Sequence, residues 1–462
     1  MSQYLHYPLS DGCRPDQGPS WHCGGLDAIR DDQGSEPLNA RPTDPVASTP
    51  LWRDTAATHF DGESLAQELE ADVAIVGGGF TGLSTAFHLA KAGKSVVVLE
   101  REAIASGASG RNAAGWIPGW PGPSPDDVLD KLGRDRGERL NRMLASAARD
   151  FPDFAISHAL DPEFRASGVA MCALTRKLAK RLDTIAEQWH ALGVPIDPVA
   201  PAELSAITGS DAFCAAMIYR NAGTLNPVNY SHGLARLASE TGAQIFVRSE
   251  VARIEPDDGG WRVLCAKGSV RSSHAIMATG AYETGLVRAL STSQYKIPIM
   301  VFASKPAPEI AARLMPGGMP IGSNHPLRLF WLMADGADRL IGSTVLPSSD
   351  NLSLQDLVPR FERHLKAYYP EAALPEWETA WSGYLDVVPD RLPRIVELAP
   401  KLLAPIGYSG SGIIATFAIG RELGRALGND DLDNCAVPIR AASRLWAPKL
   451  VPRIFRAMTS RI

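Results

Sequence analysis

The stretch that most constrains this chain is Asp72-Val-Ala-Ile-Val-Gly77-Gly-Gly79-Phe-Thr-Gly82. Residues 73–76 are an apolar run that reads as a buried strand. The run ends in glycines and passes into residues 83–92, whose apolar spacing is helical. A second apolar run, 96–99, ends on Glu100. The predicted unit is strand, turn, helix, strand, with Gly77, Gly79 and Gly82 in the three glycine positions of a dinucleotide-binding turn. Gly77 permits the tight turn, Gly79 lets a pyrophosphate approach the backbone, and Gly82 lets the helix close on the strand. Phe80 and Thr81 open the helix, where free N–H groups and the positive dipole end favour phosphate. Glu100 lies where an acid accepts both ribose hydroxyls, and its charge repels a 2′-phosphate. Three glycines alone fit an ordinary structural turn equally well. Here strand, helix and acid fall in register, which favours the nucleotide.

With 462 residues, the chain can build two or three domains' worth of core. Net charge is −5, which offers nucleic acid no attraction. No apolar run approaches the length needed to span a bilayer. Residues 1–10 lack the basic start and apolar core of a secretory signal. Six cysteines stand at 13, 23, 172, 214, 265 and 435, none in a C-x-x-C pair. Together these readings predict a cytoplasmic protein with reduced thiols. Cys13, His22 and Cys23 lack a fourth ligand at usable spacing, so no metal site is expected.

Residues 1–48 are rich in Gly, Pro, Asp and Ser and read as a loop-like extension. Residues 50–55 read as a lead-in that docks Trp52. After Glu100 and Arg101 comes a crowded segment: Ser106, Gly107, Ala108, Ser109, Arg111, Asn112, Ala113, Ala114, Gly115 and Trp116. It follows the second strand, where ligands bind in such sheets, so its N–H groups and hydroxyls are candidates to meet a long cofactor. A flexible surface loop is the plainer alternative. Helices are expected over 126–160, 176–192, 228–241, 352–369 and 413–427. Strands are expected over 168–174, 243–247, 251–255, 261–265, 269–272, 274–277, 296–304, 328–334, 338–345, 378–384 and 402–404. Val251 begins one of these strands. The strand at 274–277 runs into Thr279 and Gly280, a second place where backbone can meet the dinucleotide. Residues 402–404 feed Gly410, Ser411, Gly412 and Ile413, a second glycine-rich helix start. The tail, 438–462, is basic with one modest apolar face. A closing surface helix is expected there, with contact to a membrane surface as the alternative.

Four segments in this order resemble the D-amino-acid oxidase and glycine oxidase superfamily of FAD-dependent amine oxidases. They are residues 76–82, residues 107–112 (Gly-Ala-Ser-Gly-Arg-Asn), residues 381–390 (Trp-Ser-Gly-Tyr-Leu-Asp-Val-Val-Pro-Asp) and residues 407–412 (Gly-Tyr-Ser-Gly-Ser-Gly). The similarity spans about residues 51–434, and the S-G-R-N loop resembles the γ-glutamylputrescine oxidase-like branch. The resemblance implies an α/β fold with an α+β substrate part: a discontinuous Rossmann-like FAD domain with an inserted antiparallel-sheet substrate domain. The division it implies is 1–48 as extension; 49–150, 221–290 and 376–435 as FAD-binding domain; 151–220 and 291–375 as substrate domain; and 436–462 as a C-terminal basic tail helix. It also implies hydride transfer from a small-molecule amine to FAD, then dioxygen as acceptor. The flavin-linking His of some relatives aligns with Asn112 here, so non-covalent FAD is expected.

Departures from the family pattern shape the expected substrate. The position of a carboxylate-clamping Arg aligns with Leu385, and that of a second such Arg with Gly410. A buried apolar residue cannot bind a carboxylate. A primary or secondary amine is therefore expected in preference to a plain α-amino acid, unless Arg328 reaches in. Tyr282, Phe330, Trp331, Tyr384 and Tyr408 are candidates to line the site, with Trp116 near the flavin; each is equally readable as core. Lys296 or Lys305 is a candidate cation to assist oxygen reduction. Two rival readings remain: a dehydrogenase passing electrons to a quinone or protein acceptor, and a non-catalytic binding protein on the same fold.

Overall fold

Residues 73–76 and 96–99 are apolar on both sides because both faces of their sheet are covered. The structure, a computed structural model, describes residues 49–323, 330–345 and 352–459. The expectations for residues 1–48, with Cys13, His22 and Cys23, and for Arg328 lie outside the described residues. Strand Glu68–Val76 pairs in parallel with Val96–Leu99 and with Ser269–Met277. Val73, Ile75, Val96 and Val98 point into one core, and Ala74, Val76, Val97 and Leu99 into another. The strand period of two divides them cleanly. Gln244–Phe246 extends the parallel order beyond Val96–Leu99, and Leu402–Ile406 joins beyond Ser269–Met277. Strands Val251–Asp257 and Gly260–Cys265 pair antiparallel off the start of Ser269–Met277. The expected strands at 269–272 and 274–277 are one continuous strand, in register with Glu68–Val76 along its length. The small polar residues at its middle interrupt the apolar run but not the hydrogen bonding.

Among the described residues the second sheet has eight strands. Its pairings are antiparallel except for Ile321–Ser323 on Val169–Ala173. Trp377–Val387 lies at its edge, paired along Tyr295–Pro306. This corrects the allocation of 376–387 to the nucleotide-binding part: the segment is a strand of the second sheet. The sheet also alternates. Ile299, Val301, Trp331 and Met333 face the core shared with the first sheet. Met300, Phe302, Phe330 and Leu332 face a separate core, closed by Leu357, Phe361 and Leu365 of helix Leu354–Lys366.

The expected helix over 126–160 is two helices, Pro125–Leu132 and Arg134–Ser157, separated by Gly133 at φ +80. The expected tail helix over 436–462 begins instead with strand Ile439–Ala441, and its helix is Leu450–Thr459. Strands Ala215–Tyr219 and Arg394–Ala399 were not expected from the sequence pattern.

Two glycine-opened helices, Phe80–Lys91 and Gly412–Gly428, pack side by side. Their approach is close because Gly420 and Gly424 meet Ser84 and His88, with no room for a methyl group between them. This pairing holds the two helix starts next to each other. Gly424→Ala should force the pair apart and cost about 1–3 kcal/mol of stability. The check is a shift in the urea midpoint with an unchanged slope; an unchanged midpoint would contradict this packing account.

Candidate active site

A cavity of about 760 Å³ runs between the two sheets. One end is walled by Gly77, Gly78, Gly79, Glu100, Arg101 and Val251. Its middle is bordered by residues 410–413, and its far side by Trp120, Met171, Leu182, Met217 and Tyr219. The first glycine turn and the late glycine loop therefore share one continuous space.

At the first end, Gly78 N–H donates to Glu100 Oε2 at 2.7 Å, and Glu102 N–H donates to Oε1 at 3.0 Å. Each carboxylate oxygen keeps lone-pair capacity for a ribose hydroxyl. Burial raises the pKa of Glu100, opposed by these N–H groups. Phe80 N–H donates to Ser109 Oγ at 2.9 Å. A Cβ on Gly79 would stand 2.8 Å from that Oγ, so glycine keeps the turn bare. A Cβ on Gly82 would overlap the Gly77 carbonyl oxygen, so Gly82 serves the helix–strand approach and does not border the cavity. Thr279 Oγ1, beside Gly280 on the cavity wall, is buried with no partner among the described residues. An orphaned hydroxyl beside a bare helix start is what an extended dinucleotide such as FAD would satisfy. The residues present fit that cofactor.

The segment after Glu100 is clamped. Trp52 Nε1 donates to the Asn112 carbonyl at 2.8 Å and Trp381 Nε1 to the Arg111 carbonyl at 3.1 Å. The two indoles meet edge to face at 5.9 Å. Asn112 Nδ2 donates to the Ser109 carbonyl at 2.7 Å, and its Oδ1 accepts from Ala114 N–H at 2.9 Å. Arg111 donates to the Ser382 carbonyl at 3.1 Å and to the Ser106 carbonyl at 3.2 Å. Ser106, Gly107, Ala108, Ser109, Arg111, Asn112, Ala113 and Gly115 border the cavity. Two neighbours do not. Ala114 is fully buried, and Trp116 is core, stacked on Phe164 at 5.1 Å with its N–H on the Thr224 carbonyl. This corrects the placing of Trp116 beside the flavin: the short strand Gly115–Trp116 turns alternate side chains to opposite sides.

The late glycine loop is held by Asp386. Its Oδ2 accepts Gly407 N–H at 2.7 Å and Tyr408 N–H at 3.3 Å, and its carbonyl accepts Ser409 N–H at 2.9 Å. Burial pushes the Asp386 carboxyl up to about 6, although those N–H groups pull it down. Ser411 Oγ donates to the Gly119 carbonyl at 3.1 Å. Tyr408 is buried, and its hydroxyl accepts from Thr81 Oγ1 at 2.8 Å. It joins the two glycine loops, and it borders the cavity as well.

Tyr282 and Tyr384 stand edge to face at 5.9 Å on the cavity wall. Phe330 borders the cavity, but its ring packs into the separate core, stacked at 4.1 Å on Tyr368. Its neighbour Trp331 takes the inward side, against Gly115, where a Cβ would come 2.5 Å from the indole. Lys296 does not border the cavity; its Nζ donates to the Glu283 carbonyl at 2.6 Å. Lys305 pairs with Glu376 at 2.5 Å at the exposed end of its strand. Neither lysine borders the cavity. Sequence reasoning missed Asp386, and it missed the far wall formed by Trp120, Met171, Leu178, Leu182, Ile185 and Met217. The spacing of Leu178, Leu182 and Ile185 was visible, but it is also the spacing of any core-facing helix.

A family model described as FAD-dependent oxidoreductase (DAO) matches residues 72–426. γ-Glutamylputrescine oxidoreductase of Escherichia coli is 27% identical over 375 residues, covering 80% of this chain and 86% of that protein. A probable oxidoreductase, OrdL, of Haemophilus influenzae is 26% identical over 384 residues, 82% and 88% of the two chains. Among solved structures, glycine oxidase from Geobacillus kaustophilus superposes with a TM-score of 0.62 at 22% identity, covering 78% of this chain and 95% of that one. L-Proline dehydrogenase from P. horikoshii superposes with a TM-score of 0.66 at 19% identity, covering 79% and 95%. These structural likenesses establish the fold.

Two outcomes test this geometry. Gly79→Val should give folded but colourless protein, because the added side chain fills the path of the phosphates; retained full flavin absorbance would contradict it. Asp386 holds its proton to about pH 6 when folded, against an ordinary 3.8. Between those values the folded chain binds more protons than the unfolded one, so this contribution to stability falls as pH rises, by up to about 3 kcal/mol. Asp386→Asn lacks it. The melting temperature of the wild type relative to Asp386→Asn should therefore drop by roughly a few degrees from pH 4 to pH 6. A constant difference would contradict the assignment.

Proposed function

The chain belongs to the DAO family of FAD-dependent oxidoreductases, and on that premise we propose that it oxidises a C–N bond of a primary or secondary amine to an imine, which water converts to a carbonyl. The bound FAD supplies the hydride acceptor and the route to the terminal oxidant. The protein's task is to hold the neutral amine, aim its Cα–H at the ring and keep water out. Residues 410–412 open helix Gly412–Gly428, so its N-terminal N–H groups and dipole are available to negative charge gathering on the ring edge. The paired rings of Tyr282 and Tyr384 form a wall for the amine.

The observation that supports this substrate class is the meeting of Leu385 with Gly410. A Cβ on Gly410 would sit 3.6 Å from Leu385 Cδ1. The two positions at which a carboxylate clamp would be expected are thus adjacent, and both are apolar. The arginines of the cavity wall among the described residues are engaged or distant. Arg111 donates to carbonyls, and Arg181 pairs with Asp127. Arg101 is distant, at the Glu100 end of the cavity and 3.5 Å from Glu102. Arg391 stands exposed at the rim opposite Gly122. A carboxylate on the reacting carbon would be buried unpaired, whereas an acidic group far from the amine would meet Arg391. A γ-glutamyl polyamine satisfies both conditions, as does a simple amine with an apolar body.

Dioxygen is the proposed acceptor, with hydrogen peroxide as product. The displacement of Lys296 and Lys305 from the cavity favours keeping a second reading, a dehydrogenase that uses another acceptor. Anaerobic stopped-flow bleaching with γ-glutamylputrescine, benzylamine, sarcosine and D-alanine tests the substrate class. Amines should reduce the flavin about tenfold or more faster than D-alanine, the penalty of one unpaired buried charge. Equal rates would overturn the amine reading, and no bleaching by any of them would favour a non-catalytic protein. Leu385→Arg should move the ratio toward D-alanine by about tenfold; an unchanged ratio would place that side chain outside the site. Oxygen uptake set against dye reduction separates the two acceptors.

A further inference from the structure

From residue 435 to its end the chain has no Asp or Glu and six cations, Arg440, Arg444, Lys449, Arg453, Arg456 and Arg461, although its net charge is −5. The same segment gathers exposed apolar side chains. Trp446 is 66% exposed, Leu450 48%, Ile454 45% and Met458 49%. Apart from Ile156, these are all the large exposed hydrophobics among the described residues. They recur every four residues, so Leu450, Ile454 and Met458 form one stripe on helix Leu450–Thr459. Exposed Lys449 and Arg453 flank that stripe.

The support beneath the stripe is fixed. Tyr295 Oη donates to the Trp446 carbonyl at 3.1 Å, and Leu445 N–H donates to the Thr292 carbonyl at 2.9 Å. The backbone is therefore anchored while the indole projects. On the inner side of the helix Pro452 is buried, and Val451 and Phe455 border the cavity together with Tyr295.

We propose that this C-terminal segment docks on an anionic lipid bilayer, with its apolar stripe in the interface and its cations on the headgroups, so that the adjoining cavity wall faces the membrane surface. An exposed apolar stripe flanked by Lys and Arg, with Trp at its edge and no acid, is the pattern of a helix lying in a bilayer interface. No described helix is long and apolar enough to cross a membrane, so the contact is peripheral. A second copy is a poor occupant. It would bring six cations against six, and one ten-residue helix falls short of the roughly 800 Å² per partner of a stable interface. The proposal does not depend on which amine the site takes.

Flotation of the full-length holoenzyme tests it, using vesicles of phosphatidylcholine alone and vesicles with about a third phosphatidylglycerol. Binding to the anionic vesicles should be about tenfold tighter or more, and most of it should vanish in about 0.5 M NaCl. The triple variant Trp446→Ser, Leu450→Ser, Ile454→Ser and the triple variant Arg444→Gln, Lys449→Gln, Arg453→Gln should each lose about tenfold or more, with flavin absorbance retained as the check on folding. Absence of wild-type flotation with either vesicle would overturn the proposal. So would flotation indifferent to both variants, or a solution dimer dissolved by the apolar variant without any vesicle binding.

Discussion

One hydrogen bond marks the constraint on which the site depends. Thr81 Oγ1, at the first glycine turn, donates to Tyr408 Oη, in the late glycine loop, at 2.8 Å. The two residues are 327 positions apart, and the bond is buried. A long cofactor needs two bare stretches of backbone at a fixed separation, because a mismatch of an ångström would forfeit contacts at one end or the other. Helix packing through Gly420 and Gly424 sets that separation, and the tyrosine locks it. Asp386 then fixes the loop beyond it by taking two N–H groups on one buried oxygen. The cost of burying that carboxylate shows in its raised pKa. Loop order is thus maintained at some expense to stability, a trade common where a site must be preorganised.

The nucleotide end was legible in the sequence because each of its residues answers a local demand. Gly77 adopts φ +111, Gly82 sits against the Gly77 carbonyl, and Glu100 accepts the Gly78 N–H. These demands are met within about thirty residues, and the strand–helix–strand pattern announces them. The fold class followed from the same unit and from the four ordered segments, and it stands.

The substrate side was less legible for a reason of parity. Strands of the second sheet are buried on both faces, so residues 295–302 and 330–333 show no polar alternation to say which side chains face the cavity. Lys296 fell one position from the correct face, between Tyr295 and Ile297, which border it, and Phe330 borders it but packs its ring into the separate core, leaving Trp331 the inward ring. The same ambiguity hid the membership of Trp377–Val387, whose partner strand lies about eighty residues earlier. The far apolar wall comes from helix Arg176–Ala191 and strands Val169–Ala173 and Ala215–Tyr219. A helix face that lines a chamber has the spacing of one that packs on a core, and only the fold separates the two.

The central claim is that one groove holds FAD stretched from Glu100 to the loop at 410–412, with its ring system beside Tyr384 and Leu385. A crystal structure of the protein with FAD bound tests this directly. The account predicts the adenine ribose on the Glu100 carboxylate, the pyrophosphate over Gly79 and the start of helix Phe80–Lys91, and the ring edge at the start of helix Gly412–Gly428. A ring system lodged elsewhere, or a nucleotide that ends before reaching residue 410, would contradict it.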